Sequence, residues 1–588
     1  MILLDYNKDN TVRVWSDSNK NLSLVFSPIL SAKFVRKGTY WTCDVRELDK
    51  LVKNLDFLGL EKAVDDETIE QFMKYVEEQN KFKSIKEGNC TVICEFKTKP
   101  FREQVAGIAY LSERYRSGIF DEMGLGKTKQ VLDTLKVWRS NGQVKSNGVV
   151  ICPNTAKYAW AEEIGIHSDF THYQIGNGTA QCKTDINYIK KNSKDLFVVH
   201  IDCLRYVVNE LATLNPAFIF IDEFHLFKNV GTVRSTGSLR SQALFQLLEA
   251  WQKKNPSLKI IIMTGTPVAE RPEEAYAVLK ILMPDFISSY SRFQNRFCKF
   301  EETYYPVWKT FKGGKKQRVR TKVREVVGYK NLSELKALIE SVSIRRLKSE
   351  VEDFPEKIEL KKFVVLDGNH SRDYEIVKKA TREEILKLTK SGKPFNVKNR
   401  FIRLMQVVNN PAVLGGENYS SKYNLLDELL EEIMSDPNEK VVLWSIFRKS
   451  IELLYDRYNN KYGVDCIFGD VPIEKRGDII KRFKSEGKPK ILLCNPQAAG
   501  TSLNLERAQT AVYVDMMFSL TQRLQSEDRI HRRSSKGVVR IISIVAKGTV
   551  DEGLIELLKQ KKDMKDALLT SDDILIEQNK GFLLEFLK

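Results

Sequence analysis

Residues 121–130 read DEMGLGKTKQ, a glycine-rich stretch that runs through a Lys-Thr pair. The stretch follows RYRSGIF (114–120) and precedes KQVLDTLKVW (129–138). This order predicts a strand, a loop and a helix, which is the context in which a loop can hold a phosphate. The generic phosphate-loop pattern G-x-x-x-x-G-K-[ST] has a glycine where this chain has Asp121. The stretch alone therefore does not establish an ATP site.

The loop residues have the chemistry that a nucleotide phosphate needs. Gly124 and Gly126 allow backbone N–H groups to approach the phosphates, and the following helix adds the positive end of its dipole. The amine of Lys127 would pair with the β- and γ-phosphates, while the hydroxyl of Thr128 would bind magnesium. The loop therefore predicts ATP and Mg2+ as cofactors.

A second stretch, AFIFIDEFH (217–225), is an apolar run that ends in two carboxylates. Asp222 can hold magnesium, and Glu223 can orient or deprotonate the attacking water. An acidic pair at the end of a strand is common and is often only structural. Combined with a phosphate loop upstream, it predicts an ATPase.

A third stretch, QSEDRIHRR (525–533), lies far downstream. If it is helical, Gln525, Arg529 and Arg532 share one face, because residues three and four apart are neighbours on a helix. Such a face supplies the cationic donors that an arginine finger needs. Considered alone, the pattern also fits an ordinary basic surface helix.

Continuous apolar runs recur along the chain in two clusters, roughly 100–290 and 425–560. Runs without alternation are typical of strands buried on both faces of a parallel sheet. Two α/β lobes are therefore expected, with a mainly helical segment between them. The runs are NGVVICP (147–153), LFVVHID (196–202), AFIFIDE (217–223), KIIIMTGTP (259–267), KVVLWSI (440–446), VDCIFGD (464–470), KILLCNP (490–496), TAVYVDM (510–516) and VVRIISIVAK (538–547).

Two other segments have their own patterns. Residues 1–95 form a separate unit, with a hairpin expected at 33–44 and helices around 46–80. Residues 308–331 are strongly basic and contain Gly313-Gly314, which predicts a hairpin. This hairpin is either a solvated surface feature or a DNA-contacting finger. The expected domains are 1–95 (accessory), 96–290 (first lobe), 291–420 (helical insertions with the basic hairpin), 421–565 (second lobe) and 566–588 (helical tail).

The composition limits the partners and the compartment. The 588 residues include 94 Lys and Arg against 77 Asp and Glu, a net charge of +17 that favours a polyanionic partner. The nine cysteines are scattered, so neither a disulfide framework nor a metal site is expected. No apolar run approaches the roughly 18 residues of a membrane span, and no signal peptide is recognisable. We expect a cytoplasmic protein of a bacterium or phage-infected cell, or a nuclear one if the source is eukaryotic.

From about residue 97 to 565, the chain resembles the Swi/Snf-like branch of helicase superfamily two. The quoted phosphate loop, with Asp121, is the form that this family uses. The other motifs follow in the family's order: KPFREQ (99–104), VICPNTAKYAWAEEI (150–164), IDEFHLFKN (221–229), TGTP (264–267), IRRLKSEVEDFPEK (344–357), QAAGTSLNL (497–505) and QSEDRIHRR (525–533).

The resemblance implies two RecA-like lobes and assigns further roles. Gln104 is implied to recognise adenine, and Arg529 and Arg532, with Gln525, to complete the ATP site from the second lobe. The implied ATP-binding set is Gln104, Gly124, Leu125, Gly126, Lys127, Thr128, Lys129, Arg529 and Arg532. The candidate DNA contacts are Lys157, Trp160, Thr264, Thr266, Thr501 and Asn504.

The resemblance implies an ATP-dependent translocase on double-stranded or branched DNA. Within this family, the chain looks most similar to the annealing-helicase branch of HepA-related (HARP) proteins. This resemblance implies that its activity is fork reversal, branch migration or strand annealing. Alternatives that remain open are a strand-separating or RNA-stimulated helicase, a remover of proteins from DNA, and an ATP-gated DNA clamp that does not move. A monomer without a membrane partner is expected.

Overall fold

The structure, a computed structural model, describes most of the chain between residues 2 and 575. It does not describe residues 8–9, 17–22, 27–28, 36–39, 59, 193, 229–230, 233–234, 237, 269–270, 288, 311–315, 353, 392–396, 500–502, 536 and 568–573 within that span. The chain forms two compact units. The first contains the described residues up to Glu122, the stretch Gly126–Arg346 and the described residues of the stretch Ala567–Ile576. The second contains Met123–Leu125 and Leu347–Asp566.

The N-terminal region is a mixed sheet with helices. Its elements are β1 (Ile2–Asn7), β2 (Thr11–Ser16), α1 (Ser23–Phe26), β3 (Lys33–Val35), β4 (Tyr40–Asp44), α2 (Leu48–Phe57), β5 (Lys62–Val64) and α3 (Asp66–Lys86). Among the described residues the strand order is β3-β4-β2-β1-β5, with β1 antiparallel to β2 and parallel to β5. The predicted hairpin at 33–44 is confirmed by the antiparallel pairing of β3 with β4.

The N-terminal region contacts the rest of the first unit through charged side chains on α2 and in the turn that precedes it. Glu334 accepts hydrogen bonds from Lys50 and from Arg296, the latter at 2.8 Å. The Arg46 guanidinium lies 5.0 Å from the ring centroid of Phe286. These contacts fix the N-terminal region to the lobe that follows it.

The rest of the first unit is an α/β lobe with a long hairpin. Its elements are α4 (Arg102–Ser112), β6 (Arg116–Ile119), α5 (Lys127–Ser140), β7 (Gly148–Cys152), α6 (Ala156–His167), β8 (His172–Gln174), α7 (Thr179–Lys191), β9 (Leu196–His200), α8 (Leu204–Leu211), β10 (Phe218–Ile221), β11 (Gly231–Thr232), β12 (Ser235–Thr236), α9 (Leu239–Lys254), β13 (Lys259–Met263), α10 (Ala275–Leu282), α11 (Tyr290–Phe297), β14 (Cys298–Thr310), β15 (Lys316–Tyr329), α12 (Leu332–Ser341) and β16 (Ser343–Ile344).

The sheet of this lobe is parallel throughout its described strands. The strand order is β16-β6-β13-β10-β7-β9-β8. Every residue of the central strand β10 is completely buried, as expected for a strand with helices on both faces. Because β6 and β10 both flank β13, their carboxyl ends lie near each other at one edge of the sheet. The phosphate loop follows β6, and the acidic pair follows β10.

The second unit is another parallel α/β lobe. Its elements are β17 (Lys357–Val365), α13 (Gly368–Ser391), α14 (Val397–Asn409), α15 (Ser421–Ile433), β18 (Val441–Trp444), α16 (Arg448–Tyr462), β19 (Val464–Ile467), α17 (Ile473–Lys484), β20 (Ile491–Cys494), α18 (Pro496–Ala499), β21 (Thr510–Tyr513), α19 (Leu520–Glu527), β22 (Val539–Lys547) and α20 (Val550–Ala567). Its described strands pair in the order β17-β22-β21-β18-β20-β19. The two-lobed α/β fold class is confirmed.

The segment 291–420 is less helical than its pattern predicts. It contains the hairpin β14–β15, which begins at Cys298, ten residues before the predicted start, while its tip at 311–315 lies outside the described residues. Two strands of the segment join the flanking sheets, because β16 pairs with β6 and β17 pairs with β22. The boundaries at 290 and 420 stay a prediction, as does the tail 566–588, of which only β23 (Ile574–Leu575) has a described strand pairing, with β15.

Candidate active site

The phosphate loop has the backbone shape that its sequence requires. Gly124 and Gly126 have φ angles of 87° and 74°, in the left-handed region that a residue with a Cβ rarely adopts. Helix α5 begins at Lys127, directly after the second of these glycines. The N–H groups of the first turn are therefore directed back toward the loop. The predicted order of strand, loop and helix is confirmed.

The side chain of Lys127 donates hydrogen bonds to backbone carbonyls of the loop. The Lys127 ammonium lies 2.8 Å from the carbonyl oxygen of Asp121 and 3.2 Å from that of Glu122. Backbone carbonyls are weak partners for an ammonium compared with phosphate oxygens, which carry a full negative charge. The geometry fits a cation that exchanges these carbonyls for the phosphates of a nucleotide.

Gln104 lies directly beside the loop. Its Oε1 accepts a hydrogen bond of 3.1 Å from the backbone N–H of Phe101, which fixes the amide at the start of α4. A Cβ built on Gly126 would come within 2.4 Å of the Gln104 Nε2. The amide therefore covers the second loop glycine, and this crowding is a second reason for glycine at position 126.

The acidic pair stands where β10 ends. The Trp160 indole N–H donates to Asp222 Oδ2 at 3.0 Å, and the Glu223 backbone N–H donates to Asp222 Oδ1 at 2.8 Å. Burial, followed by the neighbouring charge of Glu223, raises the pKa of Asp222 above its ordinary value, although the charge of Lys127 opposes that shift. The two carboxylates and the Thr128 hydroxyl are oxygen donors, the ligand type that Mg2+ prefers, and their role as its ligands stays a prediction.

Glu223 is held in an unusual conformation. Its φ of 50° and ψ of 49° place a non-glycine residue in the left-handed region, which costs free energy. Its Oε2 lies 3.1 Å from Nδ1 of His225. Strained residues of this kind concentrate at functional sites. The strain supports a chemical role for Glu223, while the role of general base stays a prediction.

Asp121, which breaks the generic pattern, has a structural role. Its carboxylate is completely buried. Arg346 binds it through two donors, Nε to Oδ1 at 3.0 Å and Nη2 to Oδ2, and Gln130 Nε2 donates to Oδ2 at 3.0 Å. Arg346 Nη2 also donates to Gln130 Oε1 at 2.7 Å. We call these three residues the loop anchor.

Arg346 was not predicted from the sequence as part of the site. The residue lies in the quoted motif IRRLKSEVEDFPEK, but its distance along the chain from Asp121 gave no sign of the contact. A buried acid at position 121 needs a cation, since an unpaired buried charge is costly. An acid at position 121 could therefore have indicated a cationic partner, but the sequence does not show which arginine of the chain it is.

Gly107 on α4 supplies a test of the loop anchor. A Cβ at this position would lie 1.8 Å from Gln130 Oε1 and 2.8 Å from Arg346 Nη2. We expect Gly107→Ala to lower the free energy of unfolding of the first unit by about 1–3 kcal/mol, because the buried network must move. The measurement is the shift in the midpoint of thermal unfolding.

Gly165→Ala is the matched control for that prediction. Gly165 also lies inside a helix, α6, but nothing stands within 4 Å of a Cβ built on it. The extra methyl group is expected to stabilise that helix by up to about 1 kcal/mol, the usual difference in helix propensity between glycine and alanine. Equal behaviour of the two variants would contradict the tight packing around the loop anchor.

The arginine segment of the second unit differs from the expected helix. Helix α19 ends at Glu527, so Gln525 is helical whereas Arg529 and Arg532 lie in the turns that follow. The expectation of one helical face for the three residues is therefore wrong. Arg529 Nε donates to the carbonyl of Gln525 at 3.2 Å. Their role toward ATP stays a prediction.

Comparison with known proteins agrees with these features. The model of the SNF2-related domain matches residues 103–413, which is more than half of the chain. The chain belongs to the SNF2-related family. The model of the helicase conserved C-terminal domain matches residues 421–534 of the same chain. The predicted membership of the Swi/Snf-like branch is confirmed.

Several SNF2-related proteins are similar over most of this chain. An uncharacterized ATP-dependent helicase of Mycoplasma pneumoniae is 24% identical over 80% of this chain and 42% of its own. The DNA annealing helicase and endonuclease ZRANB3 of Bos taurus is 23% identical over 82% and 42%. The ISWI chromatin-remodeling complex ATPase ISW1 of Saccharomyces cerevisiae is 25% identical over 82% and 41%. These similar identities do not separate the annealing branch from the remodellers.

The chain spans about two-fifths of the length of these curated relatives. Among solved structures, the Sulfolobus solfataricus SWI2/SNF2 ATPase core in complex with dsDNA is similar at 22% identity, covering 82% of this chain and 95% of that chain. The TM-score for this pair is 0.36. No helix in the described part of the chain is both long and apolar enough to cross a bilayer.

Lys129 does not present its side chain to a nucleotide in this SNF2-related chain. The residue is buried, and its ammonium donates to Asp133 at 2.6 Å and to the carbonyl of Thr98 at 2.8 Å. Its predicted place in the ATP-binding set is thus limited to its backbone N–H in the first turn of α5. Leu125, also in the predicted set, is buried within the loop.

Two residues predicted to contact DNA, Lys157 and Trp160, have buried side chains, and their DNA contact stays a prediction. Trp160 is 1% exposed, and its indole donates to Asp222 instead. Lys157 is 4% exposed, and its ammonium donates to the carbonyl of Ile175 at 2.9 Å and to Asn177 Oδ1 at 3.0 Å. Both side chains support the interior of the lobe.

The other DNA candidates have different outcomes. Thr264 and Thr266 are buried, and the Thr266 backbone N–H donates to Thr264 Oγ1 at 3.1 Å, so direct contact of these hydroxyls with DNA disagrees with their burial. Asn504 is half-buried and accepts a hydrogen bond from the Glu506 backbone N–H at 3.2 Å. Its DNA contact stays a prediction. Thr501 lies outside the described residues.

Proposed function

We propose that the chain is an ATP-dependent translocase on double-stranded DNA that remodels DNA structures in replication, recombination or repair. The observation that carries the proposal is the adjacent placement of the phosphate loop after β6 and the acidic pair after β10, at one edge of a parallel sheet. Parallel α/β sheets bind their ligands at this edge. The SNF2-related membership and the net charge of +17 support DNA as the polyanionic partner.

In the proposed cycle, the first unit holds the nucleotide. Lys127 and the N–H groups of the loop bind the phosphates, and Gln104, beside the loop, recognises the base. Thr128 and Asp222 would hold Mg2+, which neutralises charge on the phosphates when bound. Glu223 accepts a proton from the attacking water or orients it.

The second unit supplies the cationic donors of the proposal. Arg529 and Arg532 contribute positive charge to the transferring phosphoryl group, as arginine fingers do. Arg532 Nη2 donates to the carbonyl of Leu503 at 3.0 Å, which connects the arginine segment to the stretch around Asn504. A displacement of this stretch by DNA therefore reaches Arg532 directly.

The proposed reaction is tested by the stimulation of ATP hydrolysis by nucleic acids. The assay compares linear duplex, forked and four-way DNA, single-stranded DNA and RNA at one fixed salt concentration, because phosphate contacts depend strongly on salt. We expect duplex or branched DNA to stimulate hydrolysis most. Strongest stimulation by RNA would contradict the proposal and favour an RNA-stimulated helicase.

A preference among the DNA substrates separates the finer proposals. Stimulation by forked or four-way DNA above linear duplex supports fork reversal or branch migration as the activity. Equal stimulation by all duplex substrates counts against a preference for branched DNA. Each pair of substrates should contain equal numbers of base pairs, so that only the branch differs.

A further inference from the structure

Arg346 and Lys348, two cations separated by one residue, bind different segments of the candidate ATP site. Arg346 binds the entry to the phosphate loop, and Lys348 binds the arginine segment. Arg346 is the last residue of the stretch Gly126–Arg346 of the first unit, and Lys348 is the second residue of the stretch Leu347–Asp566 of the second unit. Each has its own anchor inside its own unit. We call residues 346–348 the strap.

The first anchor of the strap is the entry to the phosphate loop. Besides the bidentate contact of its guanidinium with Asp121, Arg346 accepts a hydrogen bond of 3.0 Å at its carbonyl from the Glu122 N–H. The Phe120 N–H donates to the Ile344 carbonyl at 2.8 Å. Residues 344–346 therefore run alongside residues 120–122 and are joined to them by backbone hydrogen bonds. Main chain and side chain of Arg346 are therefore both fixed to the residues that precede the loop.

The second anchor is the arginine segment. The Lys348 ammonium donates to Asp528 Oδ1 at 2.6 Å and to the carbonyl of His531 at 2.9 Å. Arg529 lies between these two partners in the sequence, and Arg532 directly follows His531. The ammonium is largely buried, with 11% of the Lys348 side chain exposed, and so is weakly screened by solvent.

The strap is too short to absorb a displacement. Two residues of fully extended chain span at most about 7 Å. A shift of the loop entry must therefore pull on the arginine segment or break one of the anchors. Breaking a buried pair leaves an uncompensated charge, which is costly.

We infer that Arg346 and Lys348 are positioning residues that couple the phosphate loop to the arginine segment through the strap. The inference rests on the proposed function, and it adds a connection that passes through the chain itself. Occupation of the loop by a nucleotide changes the position of Arg346, and Lys348 transfers that change to Arg529 and Arg532. Neither residue touches the nucleotide in this account.

The test lengthens the strap and keeps both anchors. Two glycines inserted between Leu347 and Lys348 give slack without removing a charged group. We expect the affinity for a fluorescent ATP analogue to stay within about threefold, while kcat in the presence of duplex DNA falls at least about tenfold, because only the transmitted step is lost. The matched control inserts two glycines between Glu486 and Gly487, in an exposed turn of the second unit.

Point variants keep the inference testable if the insertion prevents folding. Lys348→Gln is expected to lower DNA-stimulated kcat about tenfold with the affinity for the ATP analogue retained, and Lys348→Arg is expected to recover part of that loss because the pair with Asp528 persists. The control is Lys461→Gln, which breaks an exposed pair with Glu431 in the same unit. Thermal unfolding of each variant checks that the fold persists.

The outcomes separate the strap from the proposed function. The coupling through the strap is contradicted if the insertion variant or Lys348→Gln is folded and keeps its DNA-stimulated kcat within about twofold of the unaltered chain. Equal loss in Lys348→Gln and Lys348→Arg would also count against it. An unaltered chain that hydrolyses no ATP with any DNA contradicts the proposed function instead.

Discussion

Replacement of Lys127 with alanine is expected to abolish ATP turnover. The ammonium of Lys127 is a cation of the phosphate loop, where it donates hydrogen bonds to the carbonyl oxygens of Asp121 and Glu122. The other lysine of the quoted stretch, Lys129, is buried, and its ammonium donates to Asp133. We expect kcat to fall by at least about a hundredfold, the usual effect of removing one preorganised donor from a developing charge. Steady-state hydrolysis with saturating duplex DNA measures the loss.

Lys136→Ala is the matched control for this prediction. Lys136 lies on the same helix, α5, but its side chain is exposed. The control variant should retain the turnover of the unaltered chain within about twofold, since it removes the same side chain from a solvated position. Retained turnover in Lys127→Ala would show that the loop is not the ATP site.

Replacement of Glu223 with glutamine is expected to stop hydrolysis and leave ATP binding intact. Glutamine has the same shape and keeps the position in the left-handed backbone region, but its amide cannot accept a proton from water. Loss of a general base usually costs about a hundredfold to ten-thousandfold in rate. We therefore expect kcat to fall at least a hundredfold, with the affinity for a fluorescent ATP analogue within about threefold.

The control for this variant is Glu249→Gln. Glu249 is exposed on α9 and pairs with Lys253 on the same helix, so its loss tests only the removal of a charge. Single-turnover hydrolysis separates slow chemistry from slow product release in both variants. Unchanged turnover in Glu223→Gln would refute the assignment of Glu223 as the base. Joint loss of binding and turnover would instead indicate a structural role.

The central strands could be predicted from the sequence because they are buried on both faces. Strand β10, FIFI, contains only apolar residues, and strand β13, KIIIM, has four apolar residues after Lys259. Strand β17, KIELKKFVV, was missed for the opposite reason. It is an edge strand whose side chains are mainly exposed, so its charged residues hide its pairing with β22.

Local chemistry was also easier to predict than distant contacts. The positions of Lys127, Asp222 and Glu223 follow from strand ends and a helix start, which are local features. The pairing of Asp121 with Arg346 joins residues 225 positions apart, and no local pattern encodes it. The burial of Trp160 could not be predicted, because a motif gives the identity of a side chain, whereas its direction depends on the packing of α6.

The helical pattern at 525–533 illustrates a different limit. The spacing of Gln525, Arg529 and Arg532 fits a helix, but α19 ends at Glu527. The Lys348 ammonium binds the Asp528 carboxylate and the His531 carbonyl in the turns that follow. These contacts with a distant residue are tertiary, so the periodicity of the segment could not predict them.

The central claim is that ATP hydrolysis moves this chain along duplex DNA, and triplex displacement tests it most directly. The assay follows release of a labelled third strand from a duplex, with ATP, without ATP, and with Glu223→Gln. We predict release that requires ATP and is absent with Glu223→Gln. DNA-stimulated ATP hydrolysis without any release of the third strand would contradict translocation and indicate an ATP-gated clamp.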